Sequence, residues 1–274
     1  MVNNVQSAMS IAGSDSGGGA GAQADLKTFA AHGIYGTSVI TAITAQNTLG
    51  VTSVFELPTK LIEDQIDAIA ADIWPSSVKI GMLSSSVIIH SVVEKIKQKR
   101  LDRCLVVDPV MVAKGGDRLL RQDAIESLRH LLVPLSTIVT PNIPEAEVLT
   151  GLRIRGLNDA RSAARIIVNE LGAGAVVVKG GHLEGDPVDV FYDGKRIREL
   201  RAGRIDSTST HGTGCTFAAS VASNLARGKS LGISVRSAKH YVRQAIFYSF
   251  PIGGGHGPLN HFFQFRNRLY RGRP

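Results

Sequence analysis

The segment His211-Gly212-Thr213-Gly214-Cys215-Thr216 carries the sharpest chemical signal in the chain. Two glycines stand just before Phe217 to Ala226, an apolar run with helical spacing. Glycines there let backbone N–H groups turn toward one point, and a helix N-terminus adds partial positive charge at that point. Such a tip forms an anion hole for a phosphoryl group in transfer. Gly212, Thr213, Gly214 and Cys215 are therefore candidate catalytic positions, the plainer alternative being an ordinary glycine-rich helix entry. A cysteine at a helix start has a lowered thiol pKa, so the pattern predicts an activated Cys215, against the alternative of a small buried hydrophobe. Cys104, inside an apolar run, takes that second reading.

Other candidates follow short apolar runs. Asp108 and Glu145, the latter just after Pro141-Asn142, offer hard oxygen ligands suited to magnesium, directly or through water, with substrate phosphates completing the shell. Each acid alone reads equally as a helix cap or a surface charge. Lys179 is placed to meet a nucleotide phosphate, or else is an ordinary surface lysine. The Gly17–Gly21 run lacks the Lys-Ser/Thr ending of a Walker loop and fits dinucleotide spacing poorly. It reads either as a phosphate cradle or as a turn that brings backbone close to a small ligand.

The elements that must position these residues alternate in type. Met9–Ala12, Val78–Leu83, Cys104–Asp108, Thr137–Thr140 and Ala175–Lys179 are short apolar runs of strand character. Between them lie amphipathic stretches: Ala160, Ala163, Ala164, Ile167, Val168 and Leu171 form one helix face, and Leu61, Ile62, Gln65, Ile66 and Ile69 a weaker one. Apolar strands alternating with helices predict an α/β fold with a mostly parallel central sheet and helices on both faces. In such sheets ligands bind beyond the carboxyl ends of the strands, where Gly13, Met82, Asp108, Val110, Glu145 and Lys179 would converge. Residues 36–57 break the rhythm and read as a small β flap with a turn near Thr48–Gly50. Asp189–Tyr192 and Arg196–Leu200 read as a hairpin around Asp193-Gly194, a favoured two-residue turn. No linker divides the chain, so residues 1–274 are expected to form one domain with a flap.

Composition excludes several classes. The chain has 274 residues, 43% hydrophobic and 20% charged, as in a globular protein and unlike a disordered one. Two cysteines exclude a disulfide scaffold and a cysteine-rich zinc domain, and they fit a reducing cytoplasm. The first 20 residues contain no Lys or Arg, which argues against a secretory signal. Thr28 to Phe55 carries no Asp, Glu, Lys or Arg, yet its glycines, amides and β-branched residues favour strands over a membrane span. The net charge of +8 owes much to the basic tail at 266–274, with Arg266, Arg268, Arg271 and Arg273. With aromatics at 5% and no basic block in the body, nucleic-acid binding is not supported; a basic balance also suits anionic small molecules.

These motifs together resemble a known family. Ile11 to Asp25, with Thr44-Ala45-Gln46-Asn47-Thr48, looks like hydroxymethylpyrimidine/phosphomethylpyrimidine kinase of thiamine biosynthesis, in the ribokinase-like superfamily. Val107 to Met111, Thr140 to Glu147, Val178 to His182, Thr210 to Thr216 and Gly255 to His261 are similar to its other motifs, in the family's order, from about Ser7 to Phe265. Lys114-Gly115-Gly116-Asp117 has Gly115 where the family more often shows Ser, and the basic tail is outside the pattern. The resemblance implies a three-layer ribokinase-like fold and phosphorylation of 4-amino-5-hydroxymethyl-2-methylpyrimidine to its monophosphate and then diphosphate, with ATP and Mg2+. It implies that Gly13, Asp25, Gln46, Met82, Val110 and Cys215 surround the pyrimidine. By the same resemblance, Asp108 and Glu145 serve the metal region, Lys179 the nucleotide, and paired flaps a homodimer. Many superfamily relatives carry Asp at the Cys215 position as general base. A pyridoxal or pyridoxine kinase, or a dual-specificity relative, is the alternative; a non-catalytic pyrimidine- or nucleotide-binding regulator is a rival from another class.

Overall fold

The computed structural model describes residues 5–112, 116, 119–182 and 185–265. Lys114, Gly115, Asp117 and the tail at 266–274 lie outside the described residues. The elements run β1 (Ser7–Ala12), α1 (Gly21–Ala31), β2 (Tyr35–Ile40), β3 (Ala42–Gln46), β4 (Val51–Glu56), α2 (Thr59–Asp72), β5 (Ser77–Ile80), α3 (Ser86–Gln98) and β6 (Leu105–Val107). They continue as α4 (Ala124–Ser127), β7 (Ile138–Val139), α5 (Ile143–Thr150), α6 (Leu157–Asn169), β8 (Val176–Val178), β9 (Val188–Tyr192), β10 (Ile197–Arg201), α7 (Thr213–Ala226) and α8 (Leu231–Phe247).

Eight strands form one sheet in the order β10-β9-β8-β7-β6-β5-β1-β2. It is parallel from β2 through β8, and β9 and β10 are antiparallel. The period of two along each strand divides its side chains between two cores. Met9, Ile11, Leu105, Val107, Val176 and Val178 pack under α2 to α6. Ala8, Val106 and Val177 pack under α1, α7 and α8. The continuous apolar runs thus belong to strands covered on both faces, and the expected three-layer α/β architecture is the one found.

Local sequence explains the ends that matter for function. Asn142 accepts from Glu145 N at 2.9 Å while Glu145 Oε2 accepts from Asn142 N at 2.8 Å, a reciprocal cap that fixes the start of α5. In α6 the buried face is Ala160, Ala163, Ala164 and Ile167, as its periodicity predicts.

Three boundaries differ from the sequence reading. Residues 36–57 do not form one flap. Tyr35–Ile40 joins the main sheet as its edge, parallel to β1, and only β3 and β4 form the separate two-stranded ribbon. An edge strand carries half-exposed, polar positions, so β2 lacks the apolar run that marks its neighbours. The β9–β10 connection spans four residues, not two, because Tyr192 pairs with Ile197. Asp193 Oδ1 accepts from Lys195 N and Arg196 N and so closes the longer loop. Cys104 sits in a short 3-10 turn just before β6, half-buried, and burial raises its thiol pKa.

Candidate active site

The residues singled out in the sequence gather beyond the carboxyl ends of β1, β5, β6, β7 and β8, against the N-terminus of α7. Gly212 caps that helix with φ +81, a conformation open to glycine at little cost. A Cβ there would overlap the Gly19 carbonyl oxygen, so the glycine loop after β1 and the helix tip are in backbone contact. The leading N–H groups of a helix have no intrahelical partner; here that of Thr213 donates to Thr210 O at 3.4 Å, and those of Gly214 and Cys215 follow it.

Behind the tip lies an ion pair. Lys179 Nζ is 3.1 Å from Asp108 Oδ1, with side chains only 14% and 2% exposed. Thr140 Oγ1 donates to the same carboxylate at 3.2 Å. A Cβ on Gly214 would stand 3.1 Å from Lys179 Nζ and 3.4 Å from Asp108 Oδ2. The second glycine therefore lets the helix tip approach the pair. Lys179 is not a surface lysine: burial would lower its pKa, but Asp108 and Glu145 hold it above the ordinary value.

A second pair lies deeper. Lys79 Nζ meets Asp25 Oδ2 at 2.8 Å with both side chains fully buried, and Ser10 Oγ donates to the same oxygen at 2.6 Å. Asp25 Oδ1 is buried without a partner. Burial raises the Asp25 carboxyl against the lowering pull of Lys79 and Ser10. Burial would lower Lys79, but Asp25 reverses that and its pKa is raised.

Cys215 sits where the fields of both pairs overlap, and the expectation of a lowered thiol pKa fails. Burial pushes the thiol up to about 11, with Asp25 and Asp108 adding to the rise and Lys79 and the Gly21 N–H opposing it. Desolvation of the thiolate outweighs the pull of the helix end.

The glycine loop and the entry to α7 meet at Asp15. Its carboxylate accepts from Gly17 N at 2.8 Å, Gly19 N at 3.0 Å, Ala20 N at 2.7 Å and His211 Nε2 at 2.8 Å. Burial would raise Asp15, but these donors outweigh it and the pKa is lowered. The loop's N–H groups thus close on an internal anion, which favours the structural-turn reading of Gly17–Gly21. Gln46 lies at a register shift of the β3–β4 ribbon, its Nε2 3.4 Å from His211 Nε2. Gly13 and Met82 are in direct contact, since a Cβ on Gly13 would stand 2.9 Å from the Met82 sulfur. Val110, half-buried, follows Asp108 in the turn after β6 and donates its N–H to Asp108 O.

Glu145 is first a cap. Its carboxylate faces the N–H groups of Asn142 and Met111, and burial pushes its pKa up to about 7. Among the described residues no three His, Cys, Asp or Glu side chains group as a metal cage.

Sequence reasoning missed Lys79, His211 and Asp15. Lys79 had a signal: a lone charge inside an apolar core strand requires a buried partner. His211 stood in a motif read for its glycines, and its reach to Asp15, 196 residues away, is set by tertiary structure.

The family model for phosphomethylpyrimidine kinase matches residues 15–260. The chain belongs to this family. Hydroxymethylpyrimidine/phosphomethylpyrimidine kinase of Bacillus subtilis is 46% identical over 98% of the chain and 100% of the relative. The phosphomethylpyrimidine kinase structure from Clostridium difficile is 46% identical, with a TM-score of 0.79, covering 88% of this chain and 99% of that one. A pyridoxal kinase of Bacillus subtilis in complex with ADP has a TM-score of 0.88 at 39% identity, over 97% of this chain and 100% of that one. Solved kinases named for either ring are thus similar to this chain. Among the described residues no helix is long and apolar enough to cross a membrane.

Proposed function

We propose that this chain transfers phosphate from ATP to 4-amino-5-hydroxymethyl-2-methylpyrimidine and then to the resulting monophosphate, as its relatives' names describe. The observation that carries the reading is the helix tip of Gly212–Cys215 set against the buried Lys179–Asp108 pair. Backbone N–H groups and an ammonium lie close together there, a donor set suited to a phosphoryl group. The Gln46 amide offers a donor and an acceptor side by side, as an aminopyrimidine edge requires, and Gly13, Met82 and Val110 supply its apolar surroundings.

In the proposed mechanism Lys179 meets nucleotide phosphate. Asp108 is the residue that would hold Mg2+, since one carboxylate with substrate phosphates is a usual donor set for that ion. The ion would supply charge neutralisation on the phosphates. Glu145, engaged as a cap, would act on it only through water. The flap covers the site and excludes water that would otherwise hydrolyse ATP.

The two steps differ at the nucleophile. The first is a neutral alcohol, which gains from a base; the second is a phosphomonoester already ionised above a pKa of about 6. A Cys215 base acts only as thiolate, and with the thiol near 11 that form grows with pH. The first-step rate is therefore expected to climb with pH through the accessible alkaline range, while the second stays flat. Cys215→Ala should abolish the slope and slow only the first step. Separate pH profiles on the two substrates check this; equal losses in both steps would remove the base role.

Free thiols at Cys104 and Cys215 suit a cytoplasmic setting. The ribbon exposes Ile43, Leu49, Val54 and Phe55, at 51%, 72%, 42% and 64%. These support a homodimer formed through the flaps. Phe55→Asp is expected to yield a monomer by light scattering with sharply reduced turnover; an unchanged dimer would rule this interface out.

Side-by-side turnover of hydroxymethylpyrimidine and pyridoxal with ATP tests the whole reading. The pyrimidine is expected to be the better substrate by kcat/KM, and a clear preference for pyridoxal would overturn it.

A further inference from the structure

The contact among Asp15, His211 and Gln46 holds more information than a tie between loop and helix. Asp15 is a carboxylate and only accepts. His211 Nε2 lies 2.8 Å from Asp15 Oδ2, so that nitrogen carries a proton whether the ring is neutral or charged. The same nitrogen lies 3.4 Å from Gln46 Nε2, which sets one N–H against another. At the other amide atom, Thr44 Oγ1 is 3.1 Å from Gln46 Oε1. That hydroxyl has a shorter acceptor for its single proton in Ser14 O, at 2.7 Å. A half-turn of the amide resolves both contacts: the oxygen then shares the Nε2 proton of His211 with Asp15 as its second, longer acceptor, and the nitrogen donates to the lone pairs of Thr44. The two orientations of an amide occupy the same space, and only the hydrogen-bond network chooses between them. The main chain is already clamped, since Ser16 Oγ donates to Gln46 O at 2.7 Å and accepts from Gln46 N at 2.8 Å. The side-chain amide is therefore the one element left to orient.

We infer that Asp15 and His211 are specificity-positioning residues: the proton on His211 Nε2 fixes the Gln46 amide with its oxygen toward His211 and its nitrogen toward Thr44. This rests, for the identity of the ligand, on the function proposed above. With the outer positions of the amide committed to His211 and Thr44, one lone pair and one N–H remain adjacent on its free edge. Their order along the site is fixed, so a ring nitrogen and its neighbouring amino group bind one way round. Reversing the amide would place donor against donor and acceptor against acceptor.

The test has two arms. In ligand-free protein, 15N shifts of the His211 ring should show Nε2 protonated; a proton on Nδ1 alone overturns the inference. In kinetics, His211→Leu should raise KM for the aminopyrimidine about tenfold to hundredfold, the worth of a bidentate amide contact. The KM for ATP should stay within about twofold, and kcat should fall less than the pyrimidine KM rises. His211→Gln, which returns an N–H at similar reach, should recover most of the loss. Equal losses in both variants, or a parallel rise in the KM for ATP, would assign His211 a purely structural role and overturn the inference. If the wild-type protein fails to turn over the aminopyrimidine, the substrate reading falls, while the state of the Nε2 proton still decides the positioning claim.

Discussion

Replacing Lys79 with methionine is expected to cost the fold about 3–5 kcal/mol, because it leaves the buried Asp25 carboxylate without its counter-charge. That is a large share of the roughly 5–15 kcal/mol available to a typical domain. Both side chains of the pair are fully buried, and Asp25 Oδ1 already lacks a partner. In the variant only Ser10 remains on the carboxylate. The sign of the pH dependence follows. Burial already raises Asp25 in the native protein, and loss of the ammonium removes the main opposing influence. A carboxyl with a folded-state pKa above its unfolded value, near 3.9, contributes stability fully below that value and loses it as pH rises through the folded one. Thermal melts of Lys79→Met should therefore fall more steeply from acid to neutral pH than those of the wild type. Adding Asp25→Asn should flatten the dependence. A melting temperature within a degree or two of wild type at neutral pH would show that the pair does not bear on the fold.

The largest effect on catalysis is expected at the junction of Lys179, Asp108 and Gly214. An ammonium aimed at a transferring phosphoryl group acts in a partly dry site where its field is strong, and removing one such donor costs about 10²–10³ in kcat. Lys179→Met is expected to show a loss of this order. It also strips Asp108 of its counter-charge and leaves the Thr140 hydroxyl on the carboxylate, so a fall in stability accompanies it. Gly214→Ala separates the two effects. The added methyl would stand 3.1 Å from Lys179 Nζ, so the lysine must shift while its charge and the pair persist. Expected is a kcat loss of about tenfold or more with a melting temperature near wild type, as for a misplacement of catalytic groups. A Gly214→Ala enzyme within twofold of wild type would mean that the helix tip and Lys179 do not act on the same group.

What the sequence could reveal depended on how locally each feature is specified. The central strands were legible because a strand covered on both faces is apolar at every position, as at Val176–Val178. Edge strand β2 was not, because its half-exposed residues resemble those of the flap that follows. The candidate site's helix tip was legible from glycines at 212 and 214, whose need for close approach is written in the residue type. The state of Cys215 was not, since a helix N-terminus is visible in sequence and the burial that overrides it is not. Glu145 illustrates the same limit: its reciprocal cap with Asn142 follows from spacing, whereas its shift toward 7 comes from packing by distant residues. The contact between His211 and Asp15 was hidden for the same reason: it exists only because the fold brings the first and seventh helical entries together.

The most direct measurement is a phosphorus NMR time course of the protein with ATP, magnesium and 4-amino-5-hydroxymethyl-2-methylpyrimidine. Expected is a monophosphate ester that rises first and is then consumed as a diphosphate appears, with ADP accumulating at two equivalents per pyrimidine. Absence of any pyrimidine-linked phosphorus, with ATP intact or merely hydrolysed, would contradict a single site that phosphorylates this ring twice.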